Sequence, residues 1–373
     1  MKDFPSLPRI TSDCRSFEAG GQLYVCLSCG GVQKLPDAQW LKEIEGIYSN
    51  YEAYYQAGGD EQVVFDRAAG APRRRSDVIL ERLTAEKQLG ATGRAIDVGC
   101  GNGATLSAMS RLLPGWSLSG YELGDGTLPR LSRIPRFEKL CTGTLEAIDG
   151  PFDLVTLVHA LEHFPSPSDA LSRLAKVVGD GKIFIEVSNI EENPFDILIA
   201  DHLMHFSPGT LSNLLGRFGF AQTLVATDWI PKEISLLAQG DRNEKTKDRP
   251  GTSPETNGVA VFARVKHYVE WLKAAVERVH ELAHKGHPFG IFGTSIAATW
   301  LDGTLPGGAD FFVDEDPSRI GREHRGKPIL SPSQVPAGSK VYFALAPDLA
   351  ARVATRLRSA RFEPVLPLSL EMM

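Results

Sequence analysis

Three groups of residues in this 373-residue chain have types and spacings that could do chemistry. The first is Ala95-Ile-Asp-Val-Gly-Cys-Gly-Asn-Gly-Ala104, an apolar run interrupted by Asp97 and closed by Gly99, Gly101 and Gly103. Glycine lets a bulky ligand touch backbone N–H groups at a helix N-terminus, where a side chain would block it. Glu122, nineteen positions after Gly103, ends the next apolar stretch. An acid at that spacing can hydrogen-bond both ribose hydroxyls of a nucleoside ligand. The second group is histidine-rich: His159-Ala-Leu-Glu-His163, then Asp201, His202 and His205 within five residues. Three titratable groups among apolar neighbours are expensive to bury without a purpose, so a histidine base beside a ligand pocket is the sharper reading. His163 either steadies its loop through hydrogen bonds or joins the chemistry. A metal on His202-x-x-His205 would lack further ligands nearby. The third group is Cys14 with Cys26-Leu-Ser-Cys29, followed by Gly30-Gly31. These offer three thiolates to a structural zinc, which wants four ligands, so the fourth stays open; Asp13 is the nearest oxygen. The other reading of the cysteines is plain buried thiols.

The first group has a familiar shape. Hydrophobic-hydrophobic-Asp-x-Gly-x-Gly-x-Gly with an acidic strand end resembles class I S-adenosylmethionine (SAM) methyltransferases rather than GxGxxG dinucleotide sites. That resemblance implies SAM across Asp97–Gly103 and its ribose on Glu122, with His159 also at the cofactor.

The surrounding pattern supplies elements to hold these residues. Apolar runs at 95–98, 116–121, 152–158 and 181–187 read as buried strands, with helices predicted over 77–90, 104–113 and 166–178. Strands alternating with helices predict a doubly wound, mostly parallel α/β sheet, whose ligands lie beyond the carboxyl ends of the strands. Segments 221–227 and 233–238 should finish it as an antiparallel edge pair. Tyr48, Tyr51 and Tyr55 share a helical face before this domain, a stripe that suits packing, with a lid over the pocket as the minority alternative. Residues 240–258 are polar and Gly/Pro-punctuated, and an amphipathic helix follows from about 260 to 284. The alternation then restarts at 288–293, 309–317 and 339–345, predicting a second, smaller Rossmann-like unit. Its Gly293 turn and acidic strand end at Asp314 would help hold a phosphate-bearing ligand; the alternative is a scaffold that buttresses the first unit. The expected division is therefore a cysteine cluster and aromatic segment (1–76), a SAM domain (77–240), a linker (241–259) and a C-terminal Rossmann-like domain (260–373).

Composition narrows the class. A formal charge of −6 argues against nucleic acid as the main partner, because neutralising phosphates needs a basic face. No apolar run reaches the length of a membrane span and the first residues lack a signal-peptide core, so a cytoplasmic protein is expected. Five cysteines in a reducing compartment favour metal over disulfides.

The order of parts resembles the zinc-containing C-methyltransferases of sugar nucleotides. The carriers are the cysteine cluster, the SAM domain, Phe311-Phe-Val-Asp-Glu-Asp-Pro317 with Gly326-Lys-Pro-Ile329, and Ile199-Ala-Asp-His-Leu-Met-His-Phe-Ser207. The resemblance implies a nucleotide-linked keto-deoxysugar substrate methylated on carbon through an enolate. It places His202 as the base, Asp201 as its acidic neighbour and His163 on the histidine after the fourth strand, with His205, Gly293 and Asp314 toward the substrate. The sequence departs from the family where a tyrosine is Ile199 and the first Cys-x-x-Cys is reduced to Cys14. Those departures leave O-methylation, another acceptor, or a non-catalytic SAM- or nucleotide-binding module as alternatives. Oligomeric state is open.

Overall fold

The buried apolar runs build a seven-stranded sheet that occupies the middle of the chain. A computed structural model describes residues 4–49, 61, 63–66, 71–241, 257–284, 286–357 and 361–370. In it the strands β1 (Gly93–Val98), β2 (Trp116–Glu122), β3 (Phe137–Thr142), β4 (Leu154–Val158), β5 (Lys182–Ser188), β6 (Ala221–Ala226) and β7 (Glu233–Gln239) lie in the order β6-β7-β5-β4-β1-β2-β3. All neighbours are parallel except β7, which is antiparallel to both β5 and β6. The expected antiparallel edge pair forms: β6 and β7 pair antiparallel at one end of the sheet, with β6 outermost and β7 alone reversed in direction. Burial explains the order, since Glu233–Ala238 is buried along its whole length whereas β6 begins with three exposed residues and takes the edge.

Helix boundaries follow local chemistry. The helix Arg75–Ala85 precedes β1 and stops short of the expected residue 90. Gly103 caps the helix Ala104–Leu112 in the left-handed region (φ 78°), and a Cβ there would come within 2.5 Å of Leu131 and 2.8 Å of Ile134. Ser166 accepts from the Asp169 amide to start Pro167–Val178. Ser207 and Thr210 form a reciprocal capping box on Pro208–Gly216.

The alternation does restart after the helix Gly258–Ala283, whose first turn is capped by the Asn257 side chain. Strands β8 (Phe289–Phe292), β9 (Phe311–Val313), β10 (Glu323–His324), β11 (Lys327–Leu330), β12 (Lys340–Phe343) and β13 (Glu363–Val365) form a second sheet in the order β10-β11-β9-β8-β12-β13, parallel apart from β10. Most of the 240–258 segment, and Tyr51 and Tyr55 of the aromatic stripe, lie outside the described residues.

The N-terminal region does not stand apart. Its hairpin, Tyr24–Val25 with Val32–Gln33, takes Met204–His205 as a third antiparallel strand, with Met204 opposite Gln33 and His205 opposite Val32. Phe4, Leu7, Ile10 and Leu23 share one core with Phe195–Ile199, the 258–283 helix and the second sheet. Trp300 donates its indole N–H to the Pro8 carbonyl (2.8 Å), and Phe195 lies edge-on to Trp271 and Trp300 at 5.3 and 6.1 Å. Both ends of the chain therefore support the segment that carries the histidines. No helix among the described residues is long and apolar enough to cross a membrane.

Candidate active site

A cavity of about 500 Å³ opens at the carboxyl ends of β1, β2, β4 and β5. Asp97, Gly99, Gly101 and Glu122 line one part of it, His159, His163 and His202 another, and Ser295–Ala297 with Ala344 and Leu345 close it from the second unit. Ser12, Asp13 and Cys14 add a wall from the N-terminus.

The glycine loop is built as its spacing implies. Gly99 (φ 77°) comes so close to Ala160 that a Cβ would sit 2.8 Å from that methyl. The Glu122 carboxylate folds back onto the loop, accepting from the Gly101 amide (3.0 Å) and the Leu123 amide (2.9 Å). Asp97 is buried and accepts from the Thr156 hydroxyl at 2.6 Å. Burial, reinforced by Glu122 and partly offset by that hydroxyl, pushes the Asp97 carboxyl up to about 7. Gly103 lies outside the cavity: its expected cofactor contact gives way to close packing against Leu131 and Ile134.

The histidines are sorted by carboxylates. His159, at a left-handed φ of 51°, presents Nδ1 to Glu162 (3.2 Å) and Nε2 to Glu233 (3.0 Å). Burial opposes its charge, but the two carboxylates outweigh burial and raise it to about 10, so it is an imidazolium. Arg75 shares Glu233 at 3.1 Å. His163 sets Nδ1 against the carbonyl (3.1 Å) and carboxylate (3.3 Å) of Asp201, and these outweigh burial to raise its basicity. Asp201 also accepts from the amide and hydroxyl of Ser12 at 2.8 and 2.5 Å. The expected pairing of Asp201 with His202 is therefore corrected: adjacent residues on a tight turn point apart, and Asp201 serves His163.

His202 takes its carboxylate from Asp196, whose Oδ1 lies 3.1 Å from Nδ1. Its ring meets that of His163 edge-on, with centroids 4.7 Å apart. Asp196 is the residue the sequence reading missed. It stands six positions before His202, across a short 3₁₀ turn (Pro194–Leu198), so no helical or strand periodicity links the two. His205 does not line the cavity; buried behind it, it takes the other Asp196 oxygen on Nδ1 at 2.6 Å. Nor do Gly293 and Asp314 reach the cavity. Asp314 is held by Thr294 (2.6 Å) and Arg319 (3.6 Å) within the second unit, whose contribution comes instead from the helix start at Ser295–Ala297.

The zinc reading is corrected as well. Cys26 and Cys29 are exposed on the turn of a hairpin anchored to Met204–His205, whereas Cys14 is buried in the cavity wall on a turn that Ser12 ties to Asp201. Among the described residues the three thiols do not gather into a ligand set, so they do not fit a shared zinc. Two other clusters, Glu162/His163/His202 and Asp196/His202/His205, bring donor atoms within 4.8 Å of one another. In the second of these, hydrogen bonds already join the carboxylate to both rings, and the Lys34 ammonium faces His205.

Residues 69–225 match the family model described as "Methyltransferase domain". The chain carries a class I SAM-dependent methyltransferase domain. Similar curated proteins include a ubiquinone biosynthesis O-methyltransferase of Pseudomonas paraeruginosa, 28% identical over 141 residues that make up 33% of this chain and 57% of that protein. The mitochondrial ubiquinone biosynthesis O-methyltransferase of Schizosaccharomyces pombe is 24% identical over 176 residues, 43% of this chain and 64% of that protein. The chain thus spans less than two thirds of these relatives. Among solved structures, human N-acetylserotonin methyltransferase in complex with SAM aligns at 18% identity and a TM-score of 0.37, covering 45% of this chain and 52% of that one. The match ends within β6, so both N-terminal cysteine segments and the whole second unit lie outside it.

Proposed function

We propose that the chain transfers the methyl group of SAM to a small acceptor seated between its two α/β units, with His202 removing the acceptor's proton. One observation carries this reading: a single cavity is lined by the glycine loop, by the His163–His202 pair and by the second unit. SAM would lie along Asp97–Gly101 with its ribose at Glu122. Methyl transfer displaces a leaving group from an already activated sulfonium, so the protein supplies proximity and a base. Asp196 fixes His202 with its proton on Nδ1, which leaves Nε2 as the basic nitrogen. His163, backed by Asp201, is the neighbouring group able to carry positive charge.

The acceptor we favour is a nucleotide-linked sugar methylated on carbon, which the resemblance of the whole chain order supports. O-methylation is the second reading, and two observations favour it. Ile199, where that family has a tyrosine, lines the cavity as an apolar side chain, and the curated relatives are named O-methyltransferases. Incubating the protein with methyl-labelled SAM and panels of nucleotide sugars and of hydroxylated acceptors, then locating the label by NMR, decides between carbon and oxygen. Tight SAM binding with no transfer to either panel would favour a binding module.

A further inference from the structure

Lys34 is buried in the N-terminal hairpin, directly after the strand that pairs with Met204–His205. Its amide donates to the Leu203 carbonyl (2.8 Å), and its ammonium reaches back over the turn that bears His202. There it donates to the carbonyls of Ile199 and His202, the latter at 2.8 Å, and faces Nε2 of His205 at 3.4 Å. We infer that Lys34 is a positioning residue for His202, acting through His205 and Asp196; the inference rests on the reading of His202 as the base.

The chain of donors fixes every proton. The Nδ1 atom of His205 lies 2.6 Å from a carboxylate oxygen, so it carries hydrogen. Facing an ammonium, its Nε2 must accept. His205 is accordingly neutral, and burial together with the adjacent Lys34 charge holds it down at about 4. A neutral ring of fixed tautomer anchors one oxygen of Asp196 and aims the other at Nδ1 of His202. The hydrogen that would otherwise be free to sit on either nitrogen of His202 is thereby confined to Nδ1. The ammonium also closes the 199–202 turn mechanically through its two carbonyl contacts. Burial works against the charge on Lys34 and lowers it to about 7, while Asp196, Asp201 and Glu43 support it and Arg9 opposes it, so the ammonium arrangement is complete below that pH and is lost as pH rises through it. A buried charge is kept at such a cost where its removal would leave carbonyls and a carboxylate network unpaired.

Histidine-selective nitrogen NMR on the full chain tests this directly. In the wild type, His202 and His205 should both show the Nδ1–H tautomer. Lys34→Met should release His205 into a tautomer mixture and lower label transfer from SAM into a small-molecule extract by ~10²-fold, the scale of a misplaced catalytic group, with unchanged affinity for S-adenosylhomocysteine. An Nε2-protonated or doubly protonated His205 in the wild type overturns the inference, whether or not the variant folds. So does a Lys34→Met protein with wild-type turnover alongside a slow His202→Asn. Normal turnover in His202→Asn would instead overturn the reading of the base itself.

Discussion

Burial and the proximity of Glu122 raise the Asp97 carboxyl to about 7, so it is only partly ionised near neutrality, yet it borders the space assigned to a cationic cofactor. A carboxyl raised to about 7 in the free protein must ionise to attract that charge, so binding is penalised below its pKa and the penalty vanishes above it. SAM affinity should therefore strengthen about tenfold from pH 6 to pH 8, with proton release on binding detectable by calorimetry in buffers of different ionisation heat. An affinity independent of pH would show that Asp97 does not face the cofactor's charge. Glu122→Ala should weaken SAM by about 1.5–3 kcal/mol through loss of a charged hydrogen-bonding group, read by the same calorimetry. His202→Asn keeps shape and one hydrogen bond but no base, and should cut turnover by ~10²–10⁴-fold while sparing SAM affinity. Asp97 and Glu122 were legible because their spacing ties them to a strand–turn–helix and the following strand end, and the histidines because titratable residues stand out among apolar neighbours. Asp196 was not, although it stands in the same stretch of sequence, because its bond to His202 is made across an irregular turn. Ser12 and Lys34 were out of reach for a stronger reason: their partners are more than 160 positions away.

At the scale of elements, the antiparallel edge pair of the central sheet was legible, and burial decides which member is outermost: β7 is buried along its length, whereas β6 begins with three exposed residues. The glycines divide the work of the loop between them. Gly99 and Gly101 border the cavity, whereas Gly103 buys close packing of the following helix on Leu131 and Ile134. Gly103→Ala should therefore cost about 1–3 kcal/mol in denaturant unfolding, from a side chain forced into the left-handed region. A variant as stable as the wild type but unable to bind SAM would reverse that division. The cysteine hairpin shows a different limit. Cys-x-x-Cys spacing predicts a turn correctly, but ligand sets are assembled by tertiary pairing. Here the pairing of the hairpin with Met204–His205 leads its thiols away from Cys14.

Taken as a whole molecule, the second Rossmann-like unit is joined to the first through a core that also contains N-terminal residues and the residues just before the turn that carries His202. Phe195, between Trp271 and Trp300, is the central piece of that junction. Phe195→Ala should destabilise the protein by about 3–5 kcal/mol, measured by chemical denaturation; a loss below 1 kcal/mol would mean the junction is loosely packed. Sequence alternation announced both units, but nothing in either periodicity announced that they share a core. Under the proposed function this cavity brings SAM, an acceptor and His202 together. The most direct test is to incubate the full chain with methyl-labelled SAM and a small-molecule extract freed of macromolecules. Label should appear in a discrete low-molecular-weight product, formed far more slowly by His202→Asn. Label in no small molecule, or equal product from both proteins, would contradict that function.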